Sequence, residues 1–142
     1  MQPASLHRLR VALRVLLAGA MVAIGVAHFV DPAPFEAIVP SFLPAPRALV
    51  LISGFFEILG GLGLLIARTR RLASFGLIAL YIAVFPANLN MAIHQIQIGA
   101  APLPPAFLWG RLPFQLLFIA WAYWVGRPDS ASASPAPAPT DR

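Results

Sequence analysis

One carboxylate, Glu57, lies near the middle of a run of otherwise uncharged residues, 48–67, that is long enough to cross a lipid bilayer. A charge near the bilayer centre is energetically costly, so such a residue normally faces a partner or a wet cavity. Arg111 has the opposite charge and lies in another apolar run. We therefore predict an intramembrane ion pair between Glu57 and Arg111 that marks a polar site.

Two amide side chains, Asn88 and Gln115, lie at a depth in the membrane similar to that of Glu57 when the helical rise is counted from the outer end of each run. At about 1.5 Å per residue, Glu57 lies roughly 15 Å deep, Asn88 roughly 12 Å, Gln115 roughly 13 Å and Arg111 roughly 7 Å. Arg111 and Gln115 share one helix face. We expect Arg111 to reach inward to Glu57, with Asn88 and Gln115 supplying the remaining hydrogen bonds.

A proline precedes Asn88 in the chain. Pro86 has no N–H, so the carbonyl of Ile82 loses its helical partner and the helix kinks about one turn from the cluster. This kink is either a packing feature or a hinge. Asn88 and Asn90 face different sides of the helix, so at most one looks into the interior. Asn90 and Ser53 are therefore secondary candidates for the polar site.

His28 and His94 each lie near the outer end of a predicted helix, and His28 joins the candidate site residues while His94 is secondary. Two such rings could ligate a haem across a helical bundle, or one could bind a metal together with Glu57. Two histidines alone are a weak signature, and we predict neither haem nor a metal site. They could equally reach lipid headgroups, and His28 could hydrogen-bond Asp31 or Glu36.

The composition excludes several classes of protein. Hydrophobic residues make up 59% of the 142 and charged residues only 11%, which is typical of a membrane protein forming one unit. The chain has no cysteine, which excludes disulfides, iron–sulfur clusters, thiolate zinc sites and thiol relays. The arginines flank apolar runs, a pattern typical of topology signals, and we predict no nucleic-acid binding.

Four runs reach the length of about 20 apolar residues that a spanning helix needs. We predict an all-α membrane protein, a four-transmembrane-helix up-down bundle within residues 11–126, preceded by a basic leader (1–10) and followed by a disordered tail rich in proline, alanine and serine (127–142). The first run could also be read as a signal peptide, but its length favours an uncleaved helix. The predicted helices are 11–30, 48–67, 72–96 and 106–125.

Arginine counts predict the orientation of this bundle. Arg47 is the one arginine near the ends of the runs on one side, where it lies beside Asp31 and Glu36. By the positive-inside rule, both termini are cytoplasmic in a multi-pass protein of the inner (cytoplasmic) membrane. The arginines on the predicted cytoplasmic side are Arg8, Arg10, Arg14, Arg68, Arg70, Arg71 and Arg127.

Small residues and prolines add two structural expectations. Gly19, Ala23 and Ala27 recur every four residues, and several glycines crowd the second run, which predicts close helix packing. The first connection, residues 31–46, interleaves five prolines with apolar side chains. Such a segment either lies in the membrane interface or dips into the mouth of the bundle.

Several motifs in order resemble the DoxX-like membrane proteins, over about residues 19–124. They are Gly25-Val26-Ala27-His28-Phe29, Asp31-Pro32 with Phe35, Ile38-Val39-Pro40, Leu43-Pro44, Ser53-Gly54, Glu57-Ile58, Gly60-Gly61, Val84-Phe85-Pro86-Ala87-Asn88, Met91-Ala92, and Trp109 with Arg111-Leu112-Pro113 and Gln115.

This resemblance implies four transmembrane helices and an association with redox proteins, since members named for thiosulfate:quinone oxidoreductase subunits pass electrons to quinone. It predicts a quinone-linked accessory subunit with a polar pocket in the outer half of the bundle, whose partners are the lipid bilayer and a membrane or periplasm-facing redox protein. Two alternatives stay open, a transporter of a small solute or proton and a purely structural or assembly partner. We find no flavin or nicotinamide motif in the sequence, and therefore no indication that the chain acts as an enzyme on its own.

Overall fold

The computed structural model describes residues 3–98 and 101–128, and no strand occurs within them. The all-α class is therefore confirmed. Three stretches are long and apolar enough to cross a membrane, namely Ser5–Val30, Pro46–Leu65 and Arg70–Ile93. The helices are α1 (Pro3–Val30), α2 (Ala33–Ala37), α3 (Pro46–Leu65), α4 (Arg70–Ile93) and α5 (Pro105–Gly126).

The observed helices differ from the predicted runs mainly at their ends. Helix α1 begins at Pro3, so residues 3–10, predicted as a leader, extend the first helix. Prolines stand in the first turn of α3 and α5, where a missing N–H costs no hydrogen bond. Helix α2 occupies the connection for which no helix was predicted. Most of the predicted tail, 129–142, lies outside the described residues.

The four long helices pack in the cyclic order α1, α3, α4, α5. Neighbours are antiparallel, because Gly25 of α1 meets Gly54 of α3 while Ala18 meets Gly61. The same reversal joins α4 to α5, where Ser74 Oγ donates to the carbonyl of Ala122 (2.8 Å). The arrangement is therefore up-down.

The two ends of the bundle differ in chemistry. We call the end that contains Arg14, the connection 66–69 and Arg127 the arginine end, and the opposite end, with connections 31–45 and 94–104, the loop end. A packed core fills the half nearer the arginine end. Its buried side chains are Leu17, Ala18, Met21, Leu64, Leu77, Tyr81, Ala122 and Val125.

Two arginines cap helix ends in addition to carrying charge. Arg14 is buried, and its Nε donates to the carbonyl of Val125 (3.0 Å) in the last turn of α5. Arg70 Nε donates to the carbonyl of Leu64 (3.3 Å) at the end of α3. Cations at the C-terminal ends of helices satisfy unpaired carbonyls and interact favourably with the negative end of the helix dipole. The sequence pattern indicated only their role in topology.

The close contact between α1 and α3 does not follow the predicted row of small residues. A Cβ at Gly25 would lie 2.6 Å from the carbonyl oxygen of Gly54, whereas a Cβ at Gly19 would meet nothing within 4 Å. Ala23 is also exposed. The prediction for Gly19 and Ala23 was wrong, because the face of α1 that packs on α3 is set by where α3 has glycine, at Gly54 and Gly61.

We predict that Gly25→Ala destabilises the bundle by about 1–3 kcal/mol, because the added methyl must separate two helix backbones. Gly19→Ala is the matched control, a helical glycine of α1 facing open space, and should leave stability unchanged or raise it by up to about 1 kcal/mol through helix propensity. Thermal unfolding of both variants in the same detergent measures the difference. Equal effects would contradict the assigned contact.

Candidate functional site

A cavity of about 890 Å³ lies within the loop-end half of the bundle. Its origin is the pairing of the helices. Helices α1 and α3 pack closely along their length, and α4 packs on α5. Close contacts between the two pairs, such as Gly60 with Leu77 and Gly63 with Ala73, lie toward the arginine end. Toward the loop end, side chains from all four long helices line the cavity.

The cavity wall is mostly apolar and reaches the outer surface of the bundle. Ile52 of α3 is 53% exposed, and Phe107 and Phe114 of α5 are 52% and 58% exposed, although all three line the cavity. On α5 the lining residues recur with helical spacing and form one face. They are Ala106, Phe107, Gly110, Arg111, Phe114, Gln115 and Phe118.

The first connection covers the loop end of the cavity. We call residues 31–45 the cap segment. Its Ile38 is buried against Met91, Ala92 and Leu108, and Asn90 Nδ2 donates to the Ile38 carbonyl (2.9 Å). Of the two predicted placements for this connection, the structure shows the one in the mouth of the bundle.

Glu57 lies at the inner part of this cavity beside His28. The residue is 9% exposed, and its Oε2 lies 3.2 Å from His28 Nδ1. The same Nδ1 lies 2.8 Å from the carbonyl of Ile24. Nδ1 thus lies between two acceptors, and the contact with the carbonyl is a hydrogen bond when Nδ1 carries the hydrogen. Oε2 is buried without a hydrogen-bond partner among the described residues. The His28 ring stacks on Phe35 of the cap segment, with centroids 3.9 Å apart.

A second set of polar side chains forms a chain of hydrogen bonds between α4 and α5. Arg111 Nη2 donates to Asn88 Oδ1 (3.5 Å), and Asn88 Nδ2 donates to Gln115 Oε1 (3.2 Å). Gln115 Nε2 then donates to the carbonyl of Tyr81. That carbonyl lies next to the one at Ile82, which Pro86 deprives of its helical partner. The two amides and the guanidinium thus satisfy one another on the α4/α5 pair.

The predicted ion pair between Glu57 and Arg111 was wrong. Within the described chain, Glu57 approaches His28 and Arg111 approaches Asn88. The two charges belong to different helix pairs, and the cavity lies between those pairs. Depth along the helices was estimated well enough to place both residues on one cavity, but depth contains no information on the lateral distance between helices.

Most predicted site residues line this cavity, and two do not. Asn90 instead holds the cap segment, and His94 is exposed, with its ring nitrogen 3.1 Å from the Asn90 carbonyl of its own helix. His28 and His94 therefore do not face a common space, as a shared haem would require. The predicted residues that line the cavity are His28, Ser53, Glu57, Pro86, Asn88, Arg111 and Gln115.

Sequence reasoning did not assign Tyr81 or Phe35 to the site, although both line the cavity. Tyr81 is buried, lines the cavity and places its hydroxyl 3.1 Å from Met21 Sδ. Its spacing of seven residues from Asn88 puts both on one face of α4, a signal that could have identified it. Phe35 carried no such signal, because its contact with His28 depends on how the cap segment folds back.

The chain belongs to the family described as "Domain of unknown function (DUF8561)", whose model matches residues 17–126. That range begins within α1 and includes α2, α3, α4 and α5. The resemblance to the DoxX family is therefore wrong. Several motifs that suggested it, among them Gly25 and Ser53-Gly54, lie where α1 and α3 approach closely, a requirement that any tightly packed membrane bundle shares. No curated protein and no solved structure matches the chain.

We predict that Asn90→Ala loosens the cap segment, because the buried carbonyl of Ile38 loses its donor, at a cost of about 1–3 kcal/mol. The chain has no cysteine, so Ala37→Cys provides a single exposed position on α2 for a spin label. The label's mobility should rise in Asn90→Ala and stay unchanged in His94→Ala. An unchanged spectrum in both would show that Asn90 does not hold the segment.

Proposed function

We propose that this member of the DUF8561 family is a membrane-embedded binding protein that takes up a lipid-soluble molecule with a polar head. The observation that carries the proposal is the cavity between the helix pairs. It has an apolar wall that continues to the exposed surface, and polar side chains at its inner part. Its volume of about 890 Å³ falls in the range typical of small-molecule sites.

A quinone fits this class of ligand. Its apolar tail would follow the exposed side chains of α3 and α5 into the lipid, and Arg111 would donate a hydrogen bond to a headgroup carbonyl. The redox partner that followed from the DoxX resemblance no longer has a basis. The proposal is therefore restricted to binding, and quinone is one member of the class.

The packing of the arginine end favours binding over transport. Leu17, Leu64, Leu77, Ala122 and Val125 fill the bundle beyond the cavity and are essentially inaccessible. A carrier of a polar solute would need a path through this region, which these apolar side chains fill. The buried polar residues there, Arg14 and Ser74, are bonded to backbone carbonyls of α5. A purely structural role is disfavoured as well, because a polar group that only sets helix register would be packed rather than placed along a large cavity.

We further propose that all four long helices span the inner membrane with both termini in the cytoplasm. Helix α5 has 22 residues, a length of about 33 Å at 1.5 Å per residue that matches the hydrocarbon core. Its Arg111 and Gln115 reduce its hydropathy but face the cavity rather than lipid. The seven arginines at the arginine end support a cytoplasmic position for that end.

We predict that Gly110→Phe abolishes retention of a lipid-soluble ligand. Gly110 stands in the middle of the lining face of α5, and a Cβ there meets nothing within 4 Å, so a phenyl ring can fill the cavity without disturbing the helices. Gly76→Phe is the matched control, since Gly76 also faces open space but does not line the cavity.

The measurement is mass spectrometry of organic extracts from protein purified in mild detergent. Wild type and Gly76→Phe should retain the same lipid-soluble species, and Gly110→Phe should lose it. Folded wild-type protein that repeatedly carries only bulk phospholipid would count against a binding function.

We predict that a cysteine at Phe42 reacts with a membrane-impermeant maleimide in intact cells, because Phe42 is 77% exposed at the loop end. A cysteine at Ala67, in the connection at the arginine end, should react only after the membrane is permeabilised. The opposite pattern of labelling would reverse the proposed orientation.

A further inference from the structure

The polar side chains around the cavity can be divided by whether their hydrogen-bonding groups are already used. Ser53 Oγ donates to the carbonyl of Val50 on its own helix (2.8 Å), and the Tyr81 hydroxyl contacts Met21 Sδ. Gln115 uses its N–H on the Tyr81 carbonyl and its oxygen on Asn88. These groups therefore each contact the protein already, and what they keep is the acceptor capacity of the two hydroxyl oxygens and the second N–H of Gln115.

Two charged side chains remain incompletely used. Glu57 Oε2 is buried without a hydrogen-bond partner in the described chain. His28, its near neighbour, has Nδ1 2.8 Å from the Ile24 carbonyl; when the ring is neutral and its hydrogen is on Nδ1, the other ring nitrogen is an acceptor. Arg111 uses one nitrogen on Asn88, and a guanidinium has five N–H groups in total. The α1/α3 side of the cavity thus offers acceptors, and the α5 side offers donors.

The cavity separates these complementary groups. A buried carboxylate normally pairs with a nearby guanidinium, since leaving either one unpaired in an apolar interior is costly. Here the opposite charges line the same space and do not pair with each other. An occupant that presents a hydrogen-bond donor to one side and an acceptor to the other would satisfy both.

We propose that the headgroup bound here is a hydroxyl-bearing one, which donates to Glu57 while another of its oxygens accepts from Arg111. This inference rests on the binding function proposed above and specifies its ligand. A hydroxyl both donates and accepts, so it satisfies Glu57 as a carboxylate or as an acid. A ketone-type carbonyl only accepts, and it matches Glu57 only in the acid form. The site therefore prefers a dihydroxy ring over the corresponding dione.

The test compares three probes with one carbon skeleton: a decyl-substituted hydroquinone kept reduced under anaerobic conditions, the corresponding benzoquinone, and the dimethyl ether of the hydroquinone. The ether keeps both oxygens but has no O–H donor. Binding to the full chain in lipid nanodiscs is measured by equilibrium dialysis. The hydroquinone should bind at least about tenfold more tightly than the other two, the effect of one well-formed hydrogen bond.

Two variants assign the preference to its residues. Glu57→Gln keeps the shape of the side chain and adds an N–H donor, so quinone binding should improve. The hydroquinone and the quinone should then bind with about equal affinity. Arg111→Met should weaken hydroquinone and quinone by a similar factor, because both present an accepting oxygen. His94→Ala, outside the cavity, should change none of the affinities.

The outcomes separate the inference from the proposed function. Equal binding of hydroquinone and quinone, or of hydroquinone and its ether, would overturn the hydroxyl preference while the binding function stands. A preference that survives in folded Glu57→Gln would also overturn it, since the donor would then be recognised elsewhere. Failure of every probe to bind folded wild-type protein would overturn the binding function and the inference together.

Discussion

The structure depends on the close approach of α1 and α3 at glycine. Gly25 and Gly54 bring the two backbones so near that a single methyl group at either position would collide with the opposite helix. This contact packs α1 and α3 together as one unit, and it also places His28 beside Glu57, because both residues lie within one turn of the glycines. The polar pair of this unit is therefore a consequence of backbone packing.

Helices α4 and α5 form the second unit by different means. At the arginine end, Ser74 bonds to the Ala122 carbonyl and packs directly against Gly126. Toward the loop end, the contact is polar, through the chain from Arg111 to Asn88 and Gln115. The apolar core joins the two units toward the arginine end, and the cavity lies where that core ends. A cavity in this position follows from how each pair satisfies its own contacts.

The separation of Glu57 from Arg111 is the main functional consequence of this arrangement. Each charge is held by its own helix pair, Glu57 beside His28 and Arg111 on Asn88. The cap segment covers the loop end of the cavity, where Ile38 is buried and its carbonyl accepts a hydrogen bond from Asn90. Together these features support the proposed ligand, whose head would stand between the charges and whose apolar part would extend toward lipid.

The sequence by itself determined the helical class, the positions of the long helices and the polar residues that share a depth, because apolar run length and helical rise are local properties. It also identified the 31–46 connection as too apolar for a solvated loop. Only the tertiary structure decided which helix faces meet. It moved the packing face of α1 from Gly19 to Gly25, reassigned Asn90 to the cap segment and separated Glu57 from Arg111. Lateral placement depends on how four helices fit together in three dimensions, and no spacing along one helix contains that information.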